Sequence, residues 1–161
     1  MVNDLEEEFK MAEYTYNEVQ LVQPGAPALL NTAIGCNRGY VLHRAGSGIL
    51  TLRGIVNNCS GFARYRVAFD GNIAVPEGGT AGEIQMALAI GGEVVPTSIA
   101  AATPTAVDAY WNVSGFAIID VPAGCCYTVS VENASVSADP TTTPASPLNL
   151  RNLNVEVTRL S

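Results

Sequence analysis

Charge is scarce in this chain and lysine is nearly missing. Charged residues occupy 14% of 161 positions and Lys10 is the only lysine, whereas an ordinary soluble domain is about one-quarter charged. The surface must then be built from Ser, Thr, Asn, Gly and Ala with apolar groups among them, which suits permanent protein contacts. The formal charge of −7 comes without a basic stripe, which argues against nucleic acid as a partner. No apolar run approaches the length of about 18 residues that a membrane span needs. The N-terminus is acidic where a secretory leader would be basic, so the chain is expected to be soluble and not exported by that route. A single histidine, His43, restricts acid–base schemes, and four cysteines are few for a disulfide scaffold of this size, so reduced and buried thiols are the default.

What charge there is lies unevenly. Residues 1–20 hold six of the fifteen acids and Lys10, leaving nine acids against seven arginines in the body. Arginine without lysine resembles interface chemistry, because guanidinium is weakly hydrated and forms planar paired contacts; compositional drift accounts for the same counts equally well. The length fits one domain that buries about two-thirds of its unfolded surface.

Asn3 followed by Glu6 makes a helix start, with Asp4 and Glu6 to Glu8 near the positive end of the dipole. Leu5, Phe9, Ala12 and Tyr16 would form one apolar stripe. Such a short helix needs a surface to lie against; the alternative is a disordered acidic lead-in. Residues 1–17 are therefore set apart from the body, 18–161.

From Val19 the pattern becomes short strands punctuated by turns. Strands are expected over 17–23, 26–34, 40–43, 49–56, 63–75, 84–90, 93–96, 98–101, 109–121, 125–132 and 148–160. The clearest alternation is Tyr65, Val67, Phe69, Ile73 and Val75 against Arg64, Arg66, Asp70 and Asn72. The run 84–90 is apolar on both faces, so it should lie centrally or face another chain. Gly91–Gly92 supplies a two-residue hairpin turn. Short strands with turn signals every 8 to 12 residues indicate an all-β sandwich or jelly roll.

Three groups of segments carry a resemblance. They are Gly46-Ser-Gly-Ile-Leu-Thr-Leu-Arg-Gly-Ile55, Arg64-Tyr-Arg-Val-Ala-Phe-Asp-Gly-Asn-Ile-Ala-Val-Pro76 with Gly78-Gly79-Thr80, and residues 103–135 with Trp111-Asn112-Val113 and Asp120-Val-Pro-Ala-Gly-Cys-Cys-Tyr-Thr-Val129. Together they resemble small jelly-roll proteins of tailed phages and prophages, over about residues 18–160. Such proteins look like the tumour necrosis factor and complement-type globular heads, which are compact trimers. The resemblance implies a virion component without enzymatic activity or cofactor, made in the host bacterial cytoplasm and placed on the capsid surface. Its partners would be sister copies in a homotrimer and the major capsid protein of a phage. Leu5, Phe9 and Tyr16 are the expected docking residues. The alternative is a fibre head whose loops 76–82 and 133–147 recognise a bacterial surface glycan. Collagen-type Gly-X-Y repeats, which some relatives carry before the head, are missing here.

The residues offer little chemistry. His43, Ser47 and Asp70 could be imagined as a triad, but no nucleophile-elbow pattern supports it. The glycines of 76–82 follow a strand but lead into another strand, so the helix dipole of a phosphate loop is missing. Cys125 and Cys126 are neighbours on an extended segment and point to opposite faces, a poor zinc grip. Cys125 is expected in the core, and a Cys36–Cys59 pair stays open. Asp70, Glu77, Glu83 and Asp108 are scattered, and calcium binding stays open too.

Among the aromatics, Tyr65, Phe69, Trp111 and Tyr127 are expected to build the core. On the strand over 109–121, Tyr110, Phe116 and Ile118 fall on the opposite register from Trp111. That outward row is expected to face a threefold axis or a neighbouring subunit. Alternatively, a bulge at Ser114–Gly115 reverses the register and returns Phe116 to the core.

Overall fold

The computed structural model describes residues 11–35, 39–56, 59, 61–137, 141 and 144–160. In it the period-two segments become twelve strands: β1 (Met11–Tyr16), β2 (Gln20–Val22), β3 (Thr32–Ile34), β4 (Val41–His43), β5 (Leu50–Arg53), β6 (Phe62–Ala74), β7 (Ile84–Ile90), β8 (Glu93–Val94), β9 (Ala100–Ala102), β10 (Trp111–Pro122), β11 (Cys126–Asn133) and β12 (Leu148–Arg159). They form two antiparallel sheets. The first runs β10-β6-β12-β1-β3, with β2 also on β12; the second runs β4-β5-β11-β7-β8, with β9 also on β7. Packed face to face, they make a jelly-roll sandwich.

The core follows from the alternation. On β6, Ala63, Tyr65, Val67, Phe69 and Ile73 are buried, and Leu50, Leu52, Met86, Leu88, Val129 and Val131 meet them from the second sheet. Each large side chain so buried contributes about 1.5–3 kcal/mol. The run 84–90 is paired on both edges, by β11 on one side and by β8 and β9 on the other. Its turn, Gly91–Gly92, has φ of +61° and +86°, the left-handed pair that a two-residue hairpin needs. In β12 the register on β6 slips between Arg151 and Asn154, with Asn152 at φ +54°. This bulge explains how Leu148 and Leu150, on even positions, and Leu153, Val155 and Val157, on odd ones, all face inward.

Several expectations need correcting. Residues 11–16 are a strand, not the end of a helix. Ala12 and Tyr14 point into the core, and β12 and β3 supply partners along both edges of β1. A short isolated helix gains no such packing. The sandwich therefore includes residues assigned to the leading segment, while residues 1–10, with Leu5 and Phe9, lie outside the described residues. The strands expected over 17–23 and 26–34 shrink to three residues each, because Gln20 turns inward and clamps Leu29. Its Nε2 donates to the Leu29 carbonyl at 3.1 Å, and the Leu29 amide donates back to Oε1 at 2.8 Å. Trp111 has the inward parity of its partner Ile73, but it opens an edge strand and stays 49% exposed. Cys125 is exposed in the turn before β11 rather than in the core, and Cys59 and Cys126 are exposed as well.

Candidate functional site

The outer face of the first sheet is where the sequence leaves large side chains in the open. β10 pairs with β6 without interruption from Trp111↔Ile73 to Pro122↔Phe62, so no bulge reverses the strand. Val113, Ala117, Ile119 and Val121 go inward. Phe116 is 54% exposed and Ile118 50% exposed. The register carries these positions across the sheet: Phe116, Ala68, Glu156, Glu13 and Ile34 lie in one row, and Ile118, Arg66, Thr158 and Met11 in the next. Met11 and Ile34, half exposed, therefore form an apolar pair on the far side of the face.

Charge sits between the two apolar groups. The Arg66 guanidinium lies 4.9 Å from the centre of the Phe116 ring and 3.9 Å from Glu156 Oε1, an exposed pair worth little by itself. An open groove of about 630 Å³ borders them, lined among others by Asp70, Ile99, Ser114 and Asn154. Toward one end of the face, Arg64 grips Asp120 with two hydrogen bonds, at 2.8 and 3.1 Å. That bond holds the Asp120 carboxyl below the usual carboxylate range and raises Arg64 in return.

Toward the other end lies a ladder of amides. Asn112 Nδ2 donates to Asp70 at 2.6 Å and to Asn72 Oδ1 at 3.2 Å; Asn72 donates to Asn152 at 3.2 Å, and Asn152 to Asn17 Oδ1 at 2.8 Å. Sequence reading missed this ladder. Its only signal was asparagine at outward positions, and the cross-strand partners cannot be seen without the register. It missed Arg159 too. This inward residue is 9% exposed, lies 4.3 Å from the Tyr40 ring centre and donates through Nη2 to the Ile55 carbonyl, while Nη1 has no partner. Beside it the Tyr65 hydroxyl donates to the Arg53 carbonyl at 2.6 Å, and burial pushes the Tyr65 phenol up against the opposing pull of Arg159.

The expected site residues separate. Phe116 and Ile118 share one patch. Tyr110 precedes β10 and is half covered, with the Arg151 guanidinium 3.8 Å from its ring centre. Tyr16 closes β1, partly buried against the core, so it is not on a free segment. His43 packs edge-on against Tyr14, and its Nε2 lies 2.8 Å from the Ser47 carbonyl. The Ser47 hydroxyl accepts from the Ile49 amide, and Asp70 stands on the other sheet, bound to Asn112. The triad residues are thus not brought together.

The two ends of the sandwich also differ. β1 begins at one end, where Met11 pairs with Thr158 and the turn 122–125 lies. At the other end, 76–79 and 146–147 join Leu21 around a cavity of about 370 Å³, so parts of both loops named for recognition converge there.

Solved structures share this architecture. The globular domain of zebrafish complement 1qA protein is similar over 91% of this chain and 94% of its own, with a TM-score of 0.54 at 15% identity. Eiger TNF from S. frugiperda covers 94% and 92%, with a TM-score of 0.58 at 12% identity. Murine APRIL covers 93% and 98%, with a TM-score of 0.56 at 8% identity. At such identities the likeness is one of fold: a TNF- and C1q-like jelly roll. No family model matches the chain, and no curated protein matches it in sequence.

Proposed function

We propose that this chain is a non-enzymatic structural protein that assembles as a homotrimer through the outer face of its first sheet. The observation that carries this is the pair Phe116 and Ile118, half exposed on a strand with no irregularity to turn them inward. Leaving such a patch wet is unfavourable, and Arg66 stacked beside an aromatic ring is a common interface arrangement. A cyclic trimer joins two different patches, and Met11 with Ile34 supplies the second on the same face. Sedimentation of the purified chain at micromolar concentration tests the reading. Trimers that dissociate on Phe116→Asp support it, and a wild-type monomer overturns it.

We further place the trimer on a tailed-phage capsid, as a decoration protein held to the major capsid protein by its N-terminal segment. The phage-type segments quoted above support this, as does the start of β1 at the end away from the 76–79 and 146–147 cavity. An attached base would then leave those loops outermost. Removal of residues 1–10, which spares β1, is expected to abolish binding to undecorated capsids; retained binding would exclude the anchor. The cavity of about 370 Å³ favours a second reading, a fibre head that takes a bacterial surface glycan there, and a glycan array tests it.

A further inference from the structure

We propose that the Phe116 ring of one copy seats in a cavity of the next, the one of about 230 Å³ lined by Met11, Ala12, Glu13, Ile34, Gly35 and Glu156. The inference rests on the trimer reading and deepens it, by naming which residues meet across the contact. Ring and cavity stand at opposite edges of the first sheet: Phe116 is on β10 and Ile34 on β3, the two ends of the strand order. One row of the register joins them, through Ala68, Glu156 and Glu13. With neighbouring strands about 4.8 Å apart, its four steps span about 19 Å, so Phe116 cannot fill the cavity of its own chain. A second copy can. A contact that joins opposite edges is of the head-to-tail kind that closes into a ring.

The cavity is shaped to receive a ring. β3 ends against the start of β1: a Cβ at Gly35, which has φ +98°, would stand 2.8 Å from the Met11 carbonyl oxygen, so glycine keeps this wall bare. Met11 and Ile34, both half exposed, supply the apolar rim. A cavity of about 150 Å³ is enough for a benzene-sized ring, so the volume admits a phenyl group.

Charge fixes which patches meet. Glu13 and Glu156 face each other directly across β1 and β12, a like-charged cross-strand pair that is unfavourable by itself. Asn154 donates a hydrogen bond to Glu13 and Thr158 one to Glu156, while Arg66 of the same chain reaches Glu156 at 3.9 Å, a loose ion pair. The incoming ring brings a cation with it. The Arg66 guanidinium over Phe116 comes to lie beside the two carboxylates of the next copy, and complementary charge of this kind selects the partner surface and its register.

Replacing Phe116 with p-benzoylphenylalanine keeps an aromatic ring at that position and permits photocrosslinking. This chain is co-assembled with isotope-labelled unsubstituted chain, irradiated and digested, and the linked peptides are identified by mass, with sedimentation run on the same sample. The expected link joins position 116 to a labelled peptide at Met11–Glu13 or at Ile34–Gly35. Trimers that link elsewhere, or not at all, overturn the seat and leave the trimer standing; an unsubstituted chain that sediments as a monomer overturns both. Where the bulkier ring blocks assembly, the unsubstituted chain decides. Peroxide should oxidise Met11 in trimers as slowly as the buried Met86, with the protection lost on dilution to monomers. Rapid oxidation of Met11 in intact trimers overturns the seat.

Discussion

The two outer faces of the sandwich obey the same alternation, yet outward residues of β7 and β11 on the second are covered where those of β10 and β1 on the first are not. On the first sheet Phe116, Ile118, Met11 and Ile34 all stand about half exposed; on the second, Ala87 and Ala89 are fully buried and Ser130 and Glu132 nearly so. Side-chain size accounts for much of the contrast. A methyl group on β7 disappears beneath its neighbours, and the Ser130 hydroxyl donates to the Glu132 carboxylate at 3.1 Å. A phenyl ring on the edge strand β10 stays 54% exposed even with Arg66 beside it. Period two decides which residues leave the core. It does not decide which of them still need cover.

The contrast can be broken or sharpened by substitution. The largest effect is expected at Ala89→Asp, which puts an unpaired carboxylate where nothing is exposed; urea denaturation should show a loss of about 3–5 kcal/mol. A loss below about 1 kcal/mol would mean that the second face is open after all. On the first face, Phe116→Asp with Ile118→Asp should leave the monomer fold within about 1 kcal/mol yet remove about 2 kcal/mol of association per site, read by sedimentation. Trimers that persist in the double variant would move the interface elsewhere.

Smaller effects are expected along the polar half of the first face. Asn112→Ala removes the hydrogen bonds to Asp70 and Asn72 and should cost about 1 kcal/mol in thermal or urea unfolding. Asp120 should give the smallest effect, and only in acid. The Arg64 hydrogen bond depresses its folded-state pKa below the unfolded value. Its contribution is therefore complete above the unfolded pKa and lost as pH falls through the folded one. Unfolding midpoints of the native chain and Asp120→Asn should converge toward low pH; an undiminished gap there would mean that the pair contributes nothing through charge.

Much of the fold was legible because strand alternation is local. Tyr65, Val67 and Phe69 on β6, the Gly91–Gly92 turn, and the outward placing of Phe116 and Ile118 all follow from parity and backbone preference within a few residues. The candidate site was legible only in part. Phe116 and Ile118 could be read from one strand. Their pairing with Arg66 and the remote Met11–Ile34 pair depend on a register set by three other strands. The stripe through Ala12 and Tyr16 fits a helix or a strand about equally well over so short a stretch, and the choice was made by β12 and β3, which lie far away in sequence or only later in it. Trp111 and Cys125 were misjudged because parity says nothing about where a sheet ends.

By itself, then, the sequence determined the β class, the turn positions and which side of each strand is apolar, since these arise from steric and solvation preferences acting over two or three residues. Only the tertiary structure decided the bulge at Asn152, the strand identity of residues 11–16 and the meeting of Phe116 with Arg66 across β10 and β6. Each of those depends on which distant backbone supplies the missing hydrogen bonds and cover, and no local pattern records that choice.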